Sequence, residues 1–294
     1  MEKSFFSEYY NWWKNIDKII FLLIISLFLL GLFFSLVSTS IIASDKMNTN
    51  SYYFFLKHLI FVLLGLFLII ISSIIDKERI INFSLVLFVI TFISLLLVPL
   101  IGVEVKGSKR WLDIGFLPRF QPIELLKPFV IVSLGVLLNS NYIINKYFRY
   151  LFSFILILPI IILLALQPDI GQTILIVLVW ISLIFISGIS LLILFSSFAV
   201  FGSIISYMIF SLPKFYYIKS RILSFLNPSS GNNYQSERAS EAIINGGLFG
   251  KGIGEGTLNS KIPEAHTDYI ISVISEEFGI TVVILIMITF LFLA

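Results

Sequence analysis

The chain has 294 residues, of which 58% are hydrophobic and 13% charged, and its mean hydropathy is +1.02. Soluble domains carry about 25% charged residues, so a soluble globule and a disordered chain are both excluded, and the solvent this sequence expects is lipid. The net charge of +3 is too small to argue for nucleic acid, and the absence of cysteine excludes disulfide frameworks, thiolate metal sites and cysteine nucleophiles.

A spanning helix needs about 20 mostly apolar residues. Eight runs satisfy that, at 18–38, 55–75, 80–101, 123–139, 150–166, 171–187, 190–212 and 269–294. They are apolar all round, so hydropathy rather than amphipathic period locates them. A β-barrel would alternate apolar and polar residues in short segments, and these runs do not. The 30 phenylalanines, with tryptophan and tyrosine available for the interfaces, fit the same class. The predicted fold is an all-α polytopic membrane protein, one integral membrane domain over 1–294, with a long extracytoplasmic loop at 213–268 before the last span.

The N-terminus shows no small-residue cleavage site, so the first run reads as an uncleaved helix. No internal repeat is visible, which gives an inverted-repeat transporter no support. With the N-terminus inside, segments 1–18, 76–79 and 140–149 hold 7 of the 20 basic residues, and the excess lies in 102–127 and 213–268. That count opposes the positive-inside bias and suggests cations placed for a ligand. The last run ends at Phe290-Leu291-Phe292-Leu293-Ala294 without a polar tail, which predicts a piece of a longer, C-terminally extended protein.

Three segments carry chemistry. The first holds Lys106-Gly107-Ser108-Lys109-Arg110-Trp111-Leu112-Asp113-Ile114-Gly115 and then Gln121-Pro122-Ile123-Glu124-Leu125-Leu126-Lys127-Pro128. Lys106, Lys109 and Trp111 are explained equally by snorkelling cations beside an aromatic anchor. Arg110 is the better ligand candidate, because a guanidinium binds phosphate oxygens bidentately. Glu124 and Lys127 share one helix face at i,i+3; they form either a structural ion pair or a cavity-facing pair. The second segment is Gln167-Pro168-Asp169-Ile170-Gly171-Gln172-Thr173, where Asp169 either caps the next helix or faces a cavity.

The third segment is the long loop. It contains Gln235-Ser236-Glu237-Arg238-Ala239-Ser240-Glu241-Ala242, and six glycines fall between Gly246 and Gly256. Such a stretch allows close backbone approach and offers amides to phosphates. It matches neither the dinucleotide-binding nor the Walker pattern, so a nucleotide site is disfavoured. The loop closes on Pro263-Glu264-Ala265-His266-Thr267-Asp268, then Glu276-Glu277. A carboxylate at a partly dry edge is open to pKa tuning and can act as a general base; Asp268 is equally placed to cap a helix or pair with a loop cation.

Taken in order, KGSKRWLDIG, QPIELLKP, QPDIGQT, NGGLFGKGIGEGT and PEAHTDYIISVISEEFG resemble the SEDS family (shape, elongation, division and sporulation) of membrane peptidoglycan glycosyltransferases. The run from Tyr234 to Thr257 with PEAHTD is more similar to its division branch, FtsW, than to its elongation branch, RodA. The resemblance implies polymerisation of lipid II at the outer face of the cytoplasmic membrane during septal wall synthesis. A sugar 4-hydroxyl attacks an anomeric carbon and undecaprenyl diphosphate leaves. It makes Asp268 the catalytic acidic residue and base. Arg110, Lys127 and Arg238 are the cations expected to compensate the diphosphate, Glu124 and Asp169 the cavity residues that orient them or take a divalent ion, and Glu264 and His266 loop residues shaping the substrate site. The resemblance fixes no cofactor; the leaving diphosphate calls for a compensating cation or metal, so a divalent cation, Mg or Mn, is the one cofactor this reading offers, with its ligands not specified by the sequence. The implied partners are lipid II, a class B penicillin-binding transpeptidase and other divisome membrane proteins. The family fold has roughly ten helices, each span needing about 20 residues, and this chain offers eight. A lipid II flippase and a non-catalytic divisome scaffold are the alternatives that the same residues allow.

Overall fold

A computed structural model describes residues 10, 12–36, 52–105, 108–115, 118–140, 143, 145–167, 169–211, 215–216, 219–220, 222–223, 234–258, 262 and 269–293. In chain order the elements are α1 (Lys18–Phe34), α2 (Tyr53–Ile74), α3 (Lys77–Ile101), β1 (Val103–Val105), β2 (Ser108–Trp111), α4 (Pro122–Leu138), α5 (Lys146–Leu166), α6 (Ile170–Ile186), α7 (Leu191–Ser211), α8 (Tyr234–Gly246), α9 (Ile270–Phe278) and α10 (Ile280–Leu293). The architecture is an all-α polytopic membrane fold carrying one small hairpin. By length and composition, Phe55–Ile74, Lys77–Ile101 and Lys146–Leu166 are able to cross a membrane, and Lys18–Phe34, Ile170–Ile186 and Ile280–Leu293 are shorter apolar helices.

The first seven predicted spans each coincide with one helix, and their ends have local causes. Asp17 caps α1 by accepting from the amides of Ile19 and Ile20 at 2.9 and 3.1 Å. Asn145 caps α5 through the Tyr147 amide at 2.9 Å. Pro122 opens α4, where a missing N–H costs nothing. The eighth expectation, one helix over 269–294, is corrected. Gly279 takes φ +86°, a left-handed conformation that no helix continues through, and splits the run into α9 and α10. Within 213–268, the segment read as a long loop before the last span, lies α8, a 13-residue helix whose polar residues gave no span signal.

The chain divides into two compact units, Ile75–Leu212 and Met1–Ile74 with Pro213–Ala294. In the first, α3, α4, α5 and α6 enclose a core of Leu95, Ile123, Leu126, Val130, Leu134, Ile157, Ile160, Leu164 and Ile176. Lipid tails are as apolar as leucine, so this core is held by close contact and satisfied polar groups rather than by escape from water. One such polar tie is Trp180 Nε1, which donates to Ser153 Oγ at 3.0 Å. In the second unit, Phe34, Ile274, Val283 and Ile286 form one cluster, and Ala242, Ile262 and Val273 another. Phe278 stacks edge-on against Phe33 and Phe34.

Candidate functional site

The unit of residues 75–212 gathers four of the residues singled out from the sequence. β1 and β2 pair antiparallel, with Glu104 opposite Lys109 and Val105 opposite Ser108. Strand side chains alternate between faces. Lys109 therefore points outward while Arg110 turns towards the loop between α5 and α6. There its Nε donates to the backbone oxygen of Gln167 at 3.3 Å, and its Nη1 lies 3.6 Å from Asp169 Oδ2. Beyond the hairpin, Leu112 and Phe120 exchange backbone hydrogen bonds at 2.9 and 3.2 Å, closing the loop that leads into α4. Within that loop the Arg119 guanidinium, donating at 2.8 Å, and the Gly115 amide hold the exposed Asp113 carboxyl below its usual range.

Asp169 caps α6, as one of its two readings from the sequence had it, and also pairs with a cation. Its Oδ1 accepts from the Gln172 amide at the start of α6, and its Oδ2 receives Gln121 Nε2 at 3.0 Å beside Arg110. Its side chain is only 8% exposed, so its charge is compensated by bonds rather than by solvent. Gln172 then links this pair to the next: its Nε2 donates to Glu124 Oε1 at 2.6 Å, and Glu124 Oε2 meets Lys127 Nζ at 2.7 Å. Arg110, Asp169, Gln121, Gln172, Glu124 and Lys127 thus form one connected polar network that runs from the buried Asp169 to the half-exposed Glu124. Next to it, Gln167 is 4% exposed, and neither of its side-chain polar atoms, nor Gln172 Oε1, has a partner among the described residues. Buried polar atoms in native folds are almost always satisfied. These three unmet atoms adjoin the Arg110–Asp169 pair.

The three glutamines were not assigned roles from the sequence, although each adjoins a proline or a helix start in the quoted motifs. Their signal was a polar, uncharged side chain where a membrane helix begins, as at Gln121 and Gln172, or ends, as at Gln167. The divalent-cation expectation for Glu124 and Asp169 does not fit this arrangement. All four of their carboxylate oxygens already take a donor or a cation from the chain.

In the other unit, Arg238 lies on α8 and pairs with Glu241 at 2.6 Å, one helical turn on. Asp268, His266 and Glu264 lie outside the described residues. The glycine stretch does not stand open as a phosphate cradle. Its amides at Lys251 and Gly252 donate to the carbonyls of Glu276 and Glu277 at 2.9 and 3.1 Å, and the amides of Ile280 and Thr281 return to Gly247 and Leu248. It is a turn wrapped around the α9–α10 break, satisfying backbone groups there as a membrane interior requires.

The family profile of the FtsW/RodA/SpoVE cell cycle proteins matches residues 17–294. A probable peptidoglycan glycosyltransferase FtsW of Caulobacter vibrioides is 30% identical over 272 residues, 92% of this chain and 68% of that protein. The one from Coxiella burnetii is 33% identical over 300 residues, 97% of this chain and 76% of the relative. Among solved structures, a chain from a peptidoglycan synthase complex that coordinates polymerization and crosslinking superposes with TM-score 0.73 at 24% identity, covering 95% of this chain and 76% of that one. The rod shape determining protein RodA of Thermus thermophilus does so with TM-score 0.61 at 22% identity, covering 96% of this chain and 73% of its own. The ordered motifs, the helical membrane fold and these matches together establish that the chain belongs to the FtsW/RodA/SpoVE family of cell cycle proteins.

Proposed function

We propose that this membrane protein is a peptidoglycan glycosyltransferase that polymerises lipid II at the outer face of the cytoplasmic membrane, at the division septum. The observation that carries the proposal is the polar network of Arg110, Asp169, Gln121, Gln172, Glu124 and Lys127 beside the unmet amide atoms of Gln167. Ionisable groups are expensive among membrane helices and mark functional cavities. Two cations, each held by a carboxylate, with glutamines between them, suit a ligand that combines a diphosphate with sugar hydroxyls.

In the reaction, the 4-hydroxyl oxygen of one sugar forms a bond to the anomeric carbon of the other chain. The bond from that carbon to the diphosphate oxygen breaks, and undecaprenyl diphosphate departs with the electron pair. Asp268 takes the hydroxyl proton; an alcohol is a weak nucleophile until a positioned carboxylate does so. Arg110 and Lys127 compensate the charge that develops on the diphosphate. Asp169 and Glu124 hold those cations in place, and Arg238 is a further cation for the lipid-linked substrate. Glu264 and His266 shape the approach to Asp268. Asp169 and Glu124, the two carboxylates nearest the cations, are engaged by the chain's own donors and cations. The partner that follows from this reading is a crosslinking transpeptidase, as in the synthase complex that the fold resembles.

The test is Asp268→Asn in the purified whole protein. Polymer formation from lipid II is expected to vanish, since general-base catalysis contributes about 10²–10⁴-fold, while the protein stays folded. Wild-type polymerisation by this variant sinks the assignment. A wild type that moves lipid II across vesicles without making polymer establishes transport instead.

A further inference from the structure

Glu276 is wholly buried on the nine-residue α9, and the reaction proposed above makes no use of it. Its Oε1 accepts three hydrogen bonds, from Asn245 Nδ2 at 3.1 Å, the Thr257 amide at 3.0 Å and the Leu258 amide at 3.1 Å. Its Oε2 has no partner among the described residues. Burying a carboxylate is costly, and an apolar side chain would fill the same space without that cost. The three bonds are what an apolar side chain would lose.

Those bonds join three separate pieces of the unit. Asn245 lies in the last turn of α8, Thr257 and Leu258 end the glycine turn, and Glu276 belongs to α9. From Leu258 the fastening continues. Its carbonyl accepts from the Ile262 amide at 3.2 Å, and Ile262 is wholly buried against Ala242 and Val273, with Leu258 and Tyr269 packed beside them. Tyr269 is tied in turn by Ser272, whose Oγ donates to its carbonyl at 2.6 Å. Asp268 precedes Tyr269 by one peptide bond.

We propose that Glu276 is a positioning residue: its carboxylate fixes the chain from which Asp268 is presented, without touching substrate. This rests on the assignment of Asp268 as base. Loss of Glu276 misplaces a reacting group, and small misplacements act on the chemical step far more than on binding.

The experiment compares wild type, Glu276→Gln, Glu276→Ala and Asp268→Asn in lipid II polymerisation by the whole protein, with thermal unfolding and amide exchange recorded alongside. Glutamine keeps an acceptor oxygen for the two amides and is expected to hold kcat within about threefold of wild type, whereas alanine strands both amides and is expected to lower kcat at least about 30-fold with KM for lipid II within about twofold. Faster exchange at the Thr257 and Leu258 amides in the alanine variant completes the expected pattern. Unchanged kcat in Glu276→Ala, a loss confined to KM, or a folded Glu276→Gln as inactive as alanine each overturns the proposal; the last makes Glu276 a proton-transfer group instead. If alanine does not fold, the near-normal kcat of glutamine and the amide exchange of its Thr257 and Leu258 decide the matter. Wild-type rates in Asp268→Asn overturn the base assignment and the positioning role with it. An inactive Asp268→Asn beside a fully active Glu276→Ala overturns the positioning role alone.

Discussion

Lys109 and Arg110 are adjacent cations with different surroundings because a strand, unlike a helix, sends neighbours to opposite faces. From the sequence, three cations ahead of Trp111 are equally an interfacial anchor and a ligand site. The hairpin separates them, leaving Lys109 across from Glu104 and bringing Arg110 to Gln167 and Asp169. Arg110→Lys retains the charge and loses the planar fork that reaches both groups. It is expected to weaken lipid II binding about tenfold, roughly the worth of one charge-assisted hydrogen bond, as measured by equilibrium binding to the purified protein. Affinity equal to wild type would leave Arg110 as a membrane-edge anchor. The sequence alone singles out Arg110, Lys127, Glu124 and Asp169, which the structure joins in one polar network. Their pairing is not legible there, because which carboxylate meets which cation depends on the hairpin and on Gln172, whose amide meets Asp169 and whose side chain reaches Glu124, 48 positions earlier in the chain than Gln172.

At the level of elements, seven helices could be read directly from apolar runs, since lipid imposes length and hydropathy on any span. The hairpin and α8 escaped because short strands and polar helices leave no such imprint. The α9–α10 break escaped for another reason: a single glycine in an apolar run does not announce its torsion angles. The glycine turn allows its two demands to be separated. A Cβ on Gly246 would lie 2.0 Å from the Ser275 carbonyl oxygen, whereas Gly247, at φ +60°, has open space where a side chain would begin. Gly247→Ala therefore meets only the left-handed backbone cost, about 1 kcal/mol. Gly246→Ala must push α8 away from α9 and is expected to cost more, at the upper end of the range for overpacked cores, about 3 kcal/mol. Thermal unfolding of the two variants in detergent gives the order. Equal losses, or the reverse order, would show that the helices are not held at the separation described.

For the molecule as a whole, composition sets the medium and the medium sets the chemistry. With lipid outside, exposed apolar side chains are the ordinary surface, and what carries information is the small number of polar groups turned inward. Leu64, half-way along α2 and about half exposed, represents that surface. Leu64→Lys is expected to raise the free energy of inserting this helix by about 3 kcal/mol, read as the inserted fraction in a translocon assay. Insertion as complete as wild type would mean that this face does not meet hydrocarbon. The interlock between the glycine turn and the split helix also constrains how the protein is made. Chains emerge from the ribosome N-terminus first, and Leu248 precedes its partner Thr281 by 33 residues. The carbonyls of Gly247 and Leu248 must therefore wait, solvated or chaperoned, until the start of α10 has been delivered, so that a nascent protein halted before that point holds a half-made joint.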